Sequence, residues 1–119
     1  MNDDTRPKIV CLCGSTRFYS AFQEANYRET MAGHIALTVG FYPHAQQEVH
    51  GEEVGITPEQ KVALDELHLR KIDLADEVLV LNIGGYIGDS TRREIAYAVN
   101  AAKIIRWLEP QAEPSRVGT

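Results

Sequence analysis

Residues 78–94 read VLVLNIGGYIGDSTRRE and carry most of the information about the fold. The apolar run Val78–Leu81 predicts a buried strand, and the glycine-rich segment 84–88 predicts a loop after it. Residues 91–102 predict a helix with Glu94 in its first turn. In an open α/β sheet, ligands bind at the carboxyl ends of the strands, close to helix N-termini that attract anions. A carboxylate does not help to bind an anion, so Glu94 is a candidate for a catalytic role.

The rest of the chain repeats the alternation of apolar runs and helical spacing. Strands are predicted at residues 8–13, 34–39, 77–82 and 103–108, and helices at residues 17–31, from Pro58 onward and at 91–102. This order implies an α/β fold: a single-domain, doubly wound (Rossmann- or flavodoxin-like) parallel sheet of four to five strands with helices on both faces. The domain is expected over residues 8–109, between flexible ends at 1–7 and 110–119.

The helix that Pro58 opens has a clear start signal. Thr57 is a good cap, and proline suits the first helical position. A stripe at helical spacing is predicted to pack on the sheet, and it contains Leu64, Leu67, Lys71 and Leu74. Before this helix, residues 40–56 form a long connection, of the kind that is either a functional lid or disordered.

Composition limits the possible functions. The chain has 119 residues and a formal net charge of −5, which fits one globular domain and disfavours a nucleic-acid polymer as partner. The longest apolar run, Val78–Leu81, is far too short to cross a membrane. The first residues lack the apolar segment of a secretory signal. Together with the two cysteines, these features favour a reduced, cytoplasmic location.

The cysteines and histidines predict no metal site. Cys11 and Cys13 lie two apart on one predicted strand, a geometry that is poor for a disulfide. No second cysteine pair is present to complete a zinc site, and His44, His50 and His68 lack the spacing of metal ligands. We therefore expect neither a metal nor a cofactor.

The turn after the first strand suits a phosphate. In Cys13–Arg17, backbone N–H groups meet the hydroxyl of Ser15 and the guanidinium of Arg17. Gly14 allows a tight turn, and the same residues are equally consistent with a turn that only caps a helix.

Glu94, Asp89 and Tyr86 can each be interpreted in two ways. Glu94 can attack the anomeric carbon of a sugar, or it can form a capping box with Thr91. Asp89 can assist chemistry or cap the helix. Tyr86 can stack on a base or pack locally. Asp73 and Asp76 are expected at the opposite sheet edge, as surface carboxylates.

Similarity to a known family rests on three segments: CGSTR at 13–17, ADEVLV at 75–80 and DSTRRE at 89–94. In order and spacing they resemble the nucleoside 2-deoxyribosyltransferase superfamily, which includes the 2′-deoxynucleoside 5′-monophosphate N-glycosidases. The resemblance implies a doubly wound sheet, a homodimer or larger homo-oligomer, and a glutamate nucleophile on C1′ of the deoxyribose, which corresponds to Glu94. The first turn resembles the monophosphate hydrolases more than the free-nucleoside transferases.

The remaining site residues follow from the same resemblance. Phosphate contacts correspond to Ser15, Arg17 and Ser90, and the strand exits add Gly14, Asn82 and Asp89 as substrate-binding candidates. Family members carry a first-strand tyrosine near the nucleophile, where this chain reads IVCLC. The family aspartate near the leaving base corresponds to His68, with Asp65 one turn earlier as the substitute.

The expected function is therefore cleavage of the base–sugar bond of a (deoxy)nucleoside 5′-monophosphate, by an N-glycosidase or N-deoxyribosyltransferase. A non-catalytic nucleotide-binding or sensing module is the alternative. A flavodoxin-like electron carrier fits less well, because no acidic, aromatic-flanked flavin loop stands out.

Overall fold

A computed structural model describes residues 6–39 and 57–111. The strands are β1 (Ile9–Cys13), β2 (Ile35–Leu37), β3 (Glu77–Val80) and β4 (Ile104–Trp107), and the helices are α1 (Tyr19–Met31), α2 (Pro58–Leu74) and α3 (Asp89–Asn100). Single 3-10 turns occupy Thr16–Phe18 and Ile83–Gly85. The predicted connection at 40–56 and the predicted flexible ends lie outside the described residues, apart from a few residues at their edges. In the described part, no helix is both long and apolar enough to cross a membrane.

The four strands form one parallel sheet in the order β2-β1-β3-β4. β1 and β3 are the central strands, and their residues are almost completely buried. The predicted doubly wound parallel sheet is therefore confirmed, with four strands in the described residues. Because all strands run the same way, the loops that follow β1 and β3 meet at one edge of the sheet.

The two faces of the sheet carry different helices. Val10 and Leu12 of β1 point to one face, where they pack with Phe22 of α1. Cys11 and Cys13 point to the other face, where Ile72 of α2 and Ala98 of α3 cover them. This alternation follows from the two-residue period of a strand, and it places both thiols under α2 and α3.

The prediction that a leucine stripe of α2 packs on the sheet is wrong. Leu64, Leu67 and Leu74 are 41%, 52% and 66% exposed, whereas His68 and Ile72 are buried. Leu69 also packs against the core beneath this helix. The helix is rotated about its axis relative to the prediction, because the sheet surface accepts the Ile72 face and leaves the leucines outside.

The predicted start of α2 and the predicted end of α1 agree with the structure, whereas the predicted start of α3 does not. Thr57 and Gln60 form a complete capping box at the start of α2. Gly33, with a φ of +88°, follows the end of α1 as a C-cap glycine does. α3 begins at Asp89 rather than at Thr91. This shift of two residues changes the environment of Glu94.

Two carboxylates at the other edge of the sheet, Asp73 and Asp76, bond to other parts of the fold. Asp76 accepts the backbone N–H of Ile9 at 2.8 Å and pairs with Arg6. Asp73 accepts the hydroxyl of Tyr97 at 2.7 Å. Asp73 is exposed and Asp76 is half-buried, and both bond to other parts of the fold.

Candidate active site

A pocket of about 400 Å³ opens at the carboxyl ends of the strands. Four parts of the chain line it: the turn after β1, Val39 after β2, residues 61–71 of α2, and the segment from Tyr86 into α3. Its lining includes Gly14, Ser15, Lys61, Leu64, Asp65, Leu67, His68, Lys71, Tyr86, Asp89, Ser90 and Glu94.

Glu94 lies in this pocket with its side chain largely buried. Because α3 begins at Asp89, with Gly88 as its N-cap, Thr91 lies inside the helix and does not cap it. The alternative of a capping box between Thr91 and Glu94 is therefore wrong. Burial raises the pKa of Glu94, although the charge of His68 and a hydrogen bond with Cys13 oppose this rise.

Glu94 belongs to a buried cluster that also contains His68, Cys11 and Cys13. The Nε2 atom of His68 lies 3.8 Å from Oε1 of Glu94, 3.4 Å from Sγ of Cys13 and 3.7 Å from Sγ of Cys11. Three separate elements supply these side chains: β1 the thiols, α2 the imidazole and α3 the carboxylate. Rigid elements therefore fix their separation.

The pKa values of the two thiols are shifted in opposite directions. Hydrogen bonds from Cys13 and from His68 lower the pKa of Cys11 to about 6, although burial works against ionisation. The hydrogen bond to Cys11, together with burial, raises the pKa of Cys13 well above its ordinary range. The two thiols are therefore expected to share one proton, with His68 beside both sulfurs.

His68 is held at the centre of this cluster. Burial lowers its pKa, but the hydrogen bond and charge of Cys11 and the charge of Glu94 outweigh burial and raise it overall. The Nδ1 atom is buried and has no hydrogen-bond partner among the residues that the structure describes. A protonated His68 stabilises the ionised form of Glu94 through its charge.

The turn after β1 forms the opposite wall of the pocket. Ser15 caps the 3-10 turn by accepting the backbone N–H of Arg17 at 3.2 Å. A Cβ atom on Gly14 would come within 3.1 Å of Leu81 Cβ, so a larger residue would force the segments that follow β1 and β3 to shift. The guanidinium of Arg17 lies 4.2 Å from the centre of the Tyr86 ring, and Arg17 is not among the described residues that line the pocket. Tyr86 also makes an edge-on contact with Phe18, so it packs locally as well as lining the pocket.

Charged groups lie at the rim. Lys61 pairs with Asp65 at 2.9 Å, and the carboxylate of Asp65 is partly exposed. Lys71 donates to the carbonyl of Thr38 at 2.6 Å, so one cation is fixed beside the pocket. These two lysines are cationic pocket residues that the sequence did not predict.

Among the predicted site residues, the pocket brings together Glu94, His68, Asp65, Gly14, Ser15, Asp89 and Ser90. Asn82 is placed elsewhere. Its amide exchanges two hydrogen bonds with the backbone of Glu109, at 2.9 and 3.0 Å, and it ties the ends of β3 and β4 together. Asn82 is therefore engaged in the fold and is not among the described residues that line this pocket.

The cysteines are the functional candidates that the sequence did not reveal. Sγ of Cys11, Sγ of Cys13 and a ring nitrogen of His68 all lie within 4.8 Å of one another. The spacing argument considered the histidines by sequence position, whereas the neighbours of His68 in this cluster come from a different element. The available signal was two cysteines on one face of a central strand and a histidine on the helix that covers it.

Comparison with known proteins supports the fold. No family model matches the sequence, and no curated protein matches it. A solved structure of a 2-deoxyribosyltransferase from Bacillus psychrosaccharolyticus superimposes with a TM-score of 0.62 at 17% identity, covering 89% of this chain and 75% of that chain. At this identity the likeness shows the fold, a parallel α/β sheet shared with that enzyme.

Proposed function

We propose that this chain cleaves the base–sugar bond of a (deoxy)nucleoside 5′-monophosphate, as an N-glycosidase or N-deoxyribosyltransferase, with Glu94 as the nucleophile. The observation that carries the proposal is the position of Glu94: a buried carboxylate at the strand ends, facing a pocket and 3.8 Å from an imidazole. The shared fold with a 2-deoxyribosyltransferase supports a nucleoside glycosyl-transfer function in general terms.

The reaction that Glu94 can perform is a displacement at C1′. A carboxylate oxygen forms a bond to C1′ while the C1′–N bond breaks, and the bonding electron pair leaves with the base. The resulting glycosyl ester reacts with water, which gives a free sugar phosphate and restores the carboxylate. In transfer, the nitrogen of a second base takes the place of water.

His68 and Asp65 have different roles in this proposal. His68 lies behind Glu94, in contact with it and with both thiols, and acts as a positioning residue that stabilises the carboxylate. Asp65 lies at the rim, one helical turn closer to the opening, where a leaving base can be protonated.

The phosphate is proposed to bind between the turn after β1 and the start of α3. Ser15 and Ser90 offer hydroxyl groups from opposite walls, and Lys61 and Lys71 supply positive charge. Arg17 reaches the phosphate only if its guanidinium leaves the ring of Tyr86, because the two groups are stacked in the structure.

A second copy of the chain is proposed to cover the exposed face of α2. Leu64 and Leu67 line the pocket and are exposed, and Val62 lies exposed on the same helix. A two-fold contact would bury these side chains and narrow both pockets.

The two free cysteines support the expected reducing, cytoplasmic location.

The decisive experiment is a screen of ribo- and deoxyribonucleoside 5′-monophosphates, with the free nucleosides as controls, for released base by chromatography. Release from at least one monophosphate, absent in Glu94→Gln, supports the proposal. Tight binding of a nucleotide that is recovered unchanged after prolonged incubation would instead identify a sensing module.

A further inference from the structure

The thiols and imidazole beneath the pocket have the spacing of a metal site. A tetrahedral Zn²⁺ site has Zn–S distances of about 2.3 Å and Zn–N distances of about 2.0–2.1 Å, which place sulfur and nitrogen about 3.5 Å apart. In the structure, Nε2 of His68 lies 3.4 Å from Sγ of Cys13 and 3.7 Å from Sγ of Cys11. Both distances are close to this value, and the two sulfurs also lie within 4.8 Å of each other, so one tetrahedral ion can reach all three atoms.

We propose that Cys11, Cys13 and His68 form a Zn²⁺ site, with the carboxylate of Glu94 as the fourth ligand. Oε1 of Glu94 is 3.8 Å from Nε2, and tetrahedral coordination needs about 3.3 Å between oxygen and nitrogen, so a small side-chain movement completes the set. The four groups supply two sulfurs, one nitrogen and one oxygen.

The choice of zinc follows from the donor set. Thiolates and imidazole disfavour Mg²⁺ and Ca²⁺, which prefer oxygen ligands. A carboxylate in the fourth position favours Zn²⁺ over Cu⁺, which prefers soft sulfur donors. The ligands come from a central strand and two packed helices, so the ion would need little rearrangement to bind. His68 and Glu94 both line the pocket, which gives the ion a path from solvent.

Zinc binding would act on the carboxylate that the proposed chemistry uses. A Glu94 oxygen bonded to Zn²⁺ cannot attack C1′, so metal occupancy and turnover exclude each other. This regulatory consequence rests on the proposed function, whereas the existence of the metal site does not.

Cobalt substitution tests the site directly. Reduced protein is titrated with Co²⁺, and thiolate-to-cobalt charge transfer in the near ultraviolet and tetrahedral visible bands are recorded. We expect both signals to saturate at one ion per chain and to disappear when Zn²⁺ is added. Zn²⁺ should also protect both cysteines of the unaltered protein from alkylation. A spectrum without charge transfer, or unprotected thiols, would overturn the proposal, as would binding of Cu⁺ but not of Zn²⁺ or Co²⁺.

Variants identify the ligands. Cys13→Ser and His68→Gln should weaken Co²⁺ binding by at least the roughly 10–100-fold that loss of an outer-shell partner costs. Glu94→Gln should weaken binding but keep the charge-transfer band, because both sulfurs remain. His34→Gln is the matched control, since His34 pairs with Glu29 away from the pocket. Circular dichroism checks that each variant is folded. Unchanged affinity in folded Cys13→Ser would refute the site.

An activity measurement separates the two proposals. Base release by the unaltered protein should fall on addition of stoichiometric Zn²⁺ and recover with a chelator. If no substrate releases base, the proposed function fails while the cobalt spectra still decide the metal site. If base is released and Zn²⁺ saturates the site without inhibition, the assignment of Glu94 as fourth ligand is wrong.

Discussion

His68 Nε2 and Glu94 Oε1 lie 3.8 Å apart, although one residue belongs to α2 and the other to α3. α2 and α3 pack on the same face of the sheet, and their buried sides meet above Cys11 and Cys13. The position of the Glu94 carboxylate therefore depends on α2 as well as on its own helix, α3. Substitution of His68 should therefore change the reactivity of the Glu94 carboxylate.

Replacing Glu94 with glutamine should abolish base release while the protein stays folded. The amide is nearly isosteric but is not a nucleophile, and it removes a buried negative charge whose ionisation burial already opposes. Product analysis and thermal unfolding of the purified variant provide the check. Glu66→Gln, on the exposed side of α2, is the matched control. Normal turnover by Glu94→Gln would remove Glu94 from the mechanism.

Replacing Asp65 with asparagine should slow base release by roughly 10²–10⁴-fold if Asp65 protonates the leaving base. The loss should be much smaller for an N7-methylated purine nucleotide, because its base already carries a positive charge and leaves without protonation. Single-turnover rates for the two substrates measure this difference. An equal loss for both would show that Asp65 only keeps Lys61 in place.

Replacing Arg17 with alanine should weaken binding of a monophosphate more than binding of the matching nucleoside. A charge-assisted hydrogen bond contributes about 1.5–3 kcal/mol, or roughly 10–150-fold in affinity. Titration calorimetry with both ligands gives the ratio. The same loss for both ligands would mean that Arg17 acts through its contact with Tyr86.

Arg106 should stabilise the fold in a pH-dependent way. Its guanidinium bonds Glu77 at 2.8 Å and Glu29 at 2.9 Å, and both carboxylates are largely buried. Burial alone would raise their pKa values, but hydrogen bonds from His34 and Arg106 at Glu29, and from Lys8 and Arg106 at Glu77, hold both pKa values below the ordinary 4.5. A carboxylate with a lowered pKa in the folded state stabilises it above the ordinary value, and this contribution disappears as the pH falls through the folded value.

Arg106→Gln should therefore lower the free energy of unfolding at pH 7 by roughly 1–3 kcal/mol. The difference from the unaltered protein should shrink as the pH falls below 4.5. Urea unfolding across this range measures it, with Arg28→Gln as the control on an exposed helical pair. A difference that does not depend on pH would point to lost packing instead.

Light scattering at micromolar concentration should report a dimer or larger assembly, and Leu67→Glu should shift it toward the monomer. Leu67 is exposed on α2 beside the pocket, so a charge there would be buried in the contact without a partner. Glu59→Gln, in the exposed first turn of the same helix, is the control. A monomer with full activity before any substitution would contradict both the assembly and a pocket closed by a second copy.

The sequence alone determined the order of elements, the parallel sheet and the edge at which the pocket lies. Each depends on local information: short apolar runs, helical spacing, Thr57 with Pro58 at a helix start, and Gly33 after a helix end. Because parallel strands have their carboxyl ends at the same edge of the sheet, the loops after β1 and β3 must lie at that edge.

Tertiary packing decided which side chains meet there. The apolar pattern of α2 pointed to Leu64 and Leu67, but the sheet accepted Ile72 and brought His68 over β1 instead. The start of α3 at Asp89 directed Glu94 into the pocket rather than back to a cap. A helix with apolar residues on two sides can bury either one, and the choice depends on the shape of the surface beneath it. The meeting of Cys11, Cys13, His68 and Glu94 is therefore a product of the folded chain.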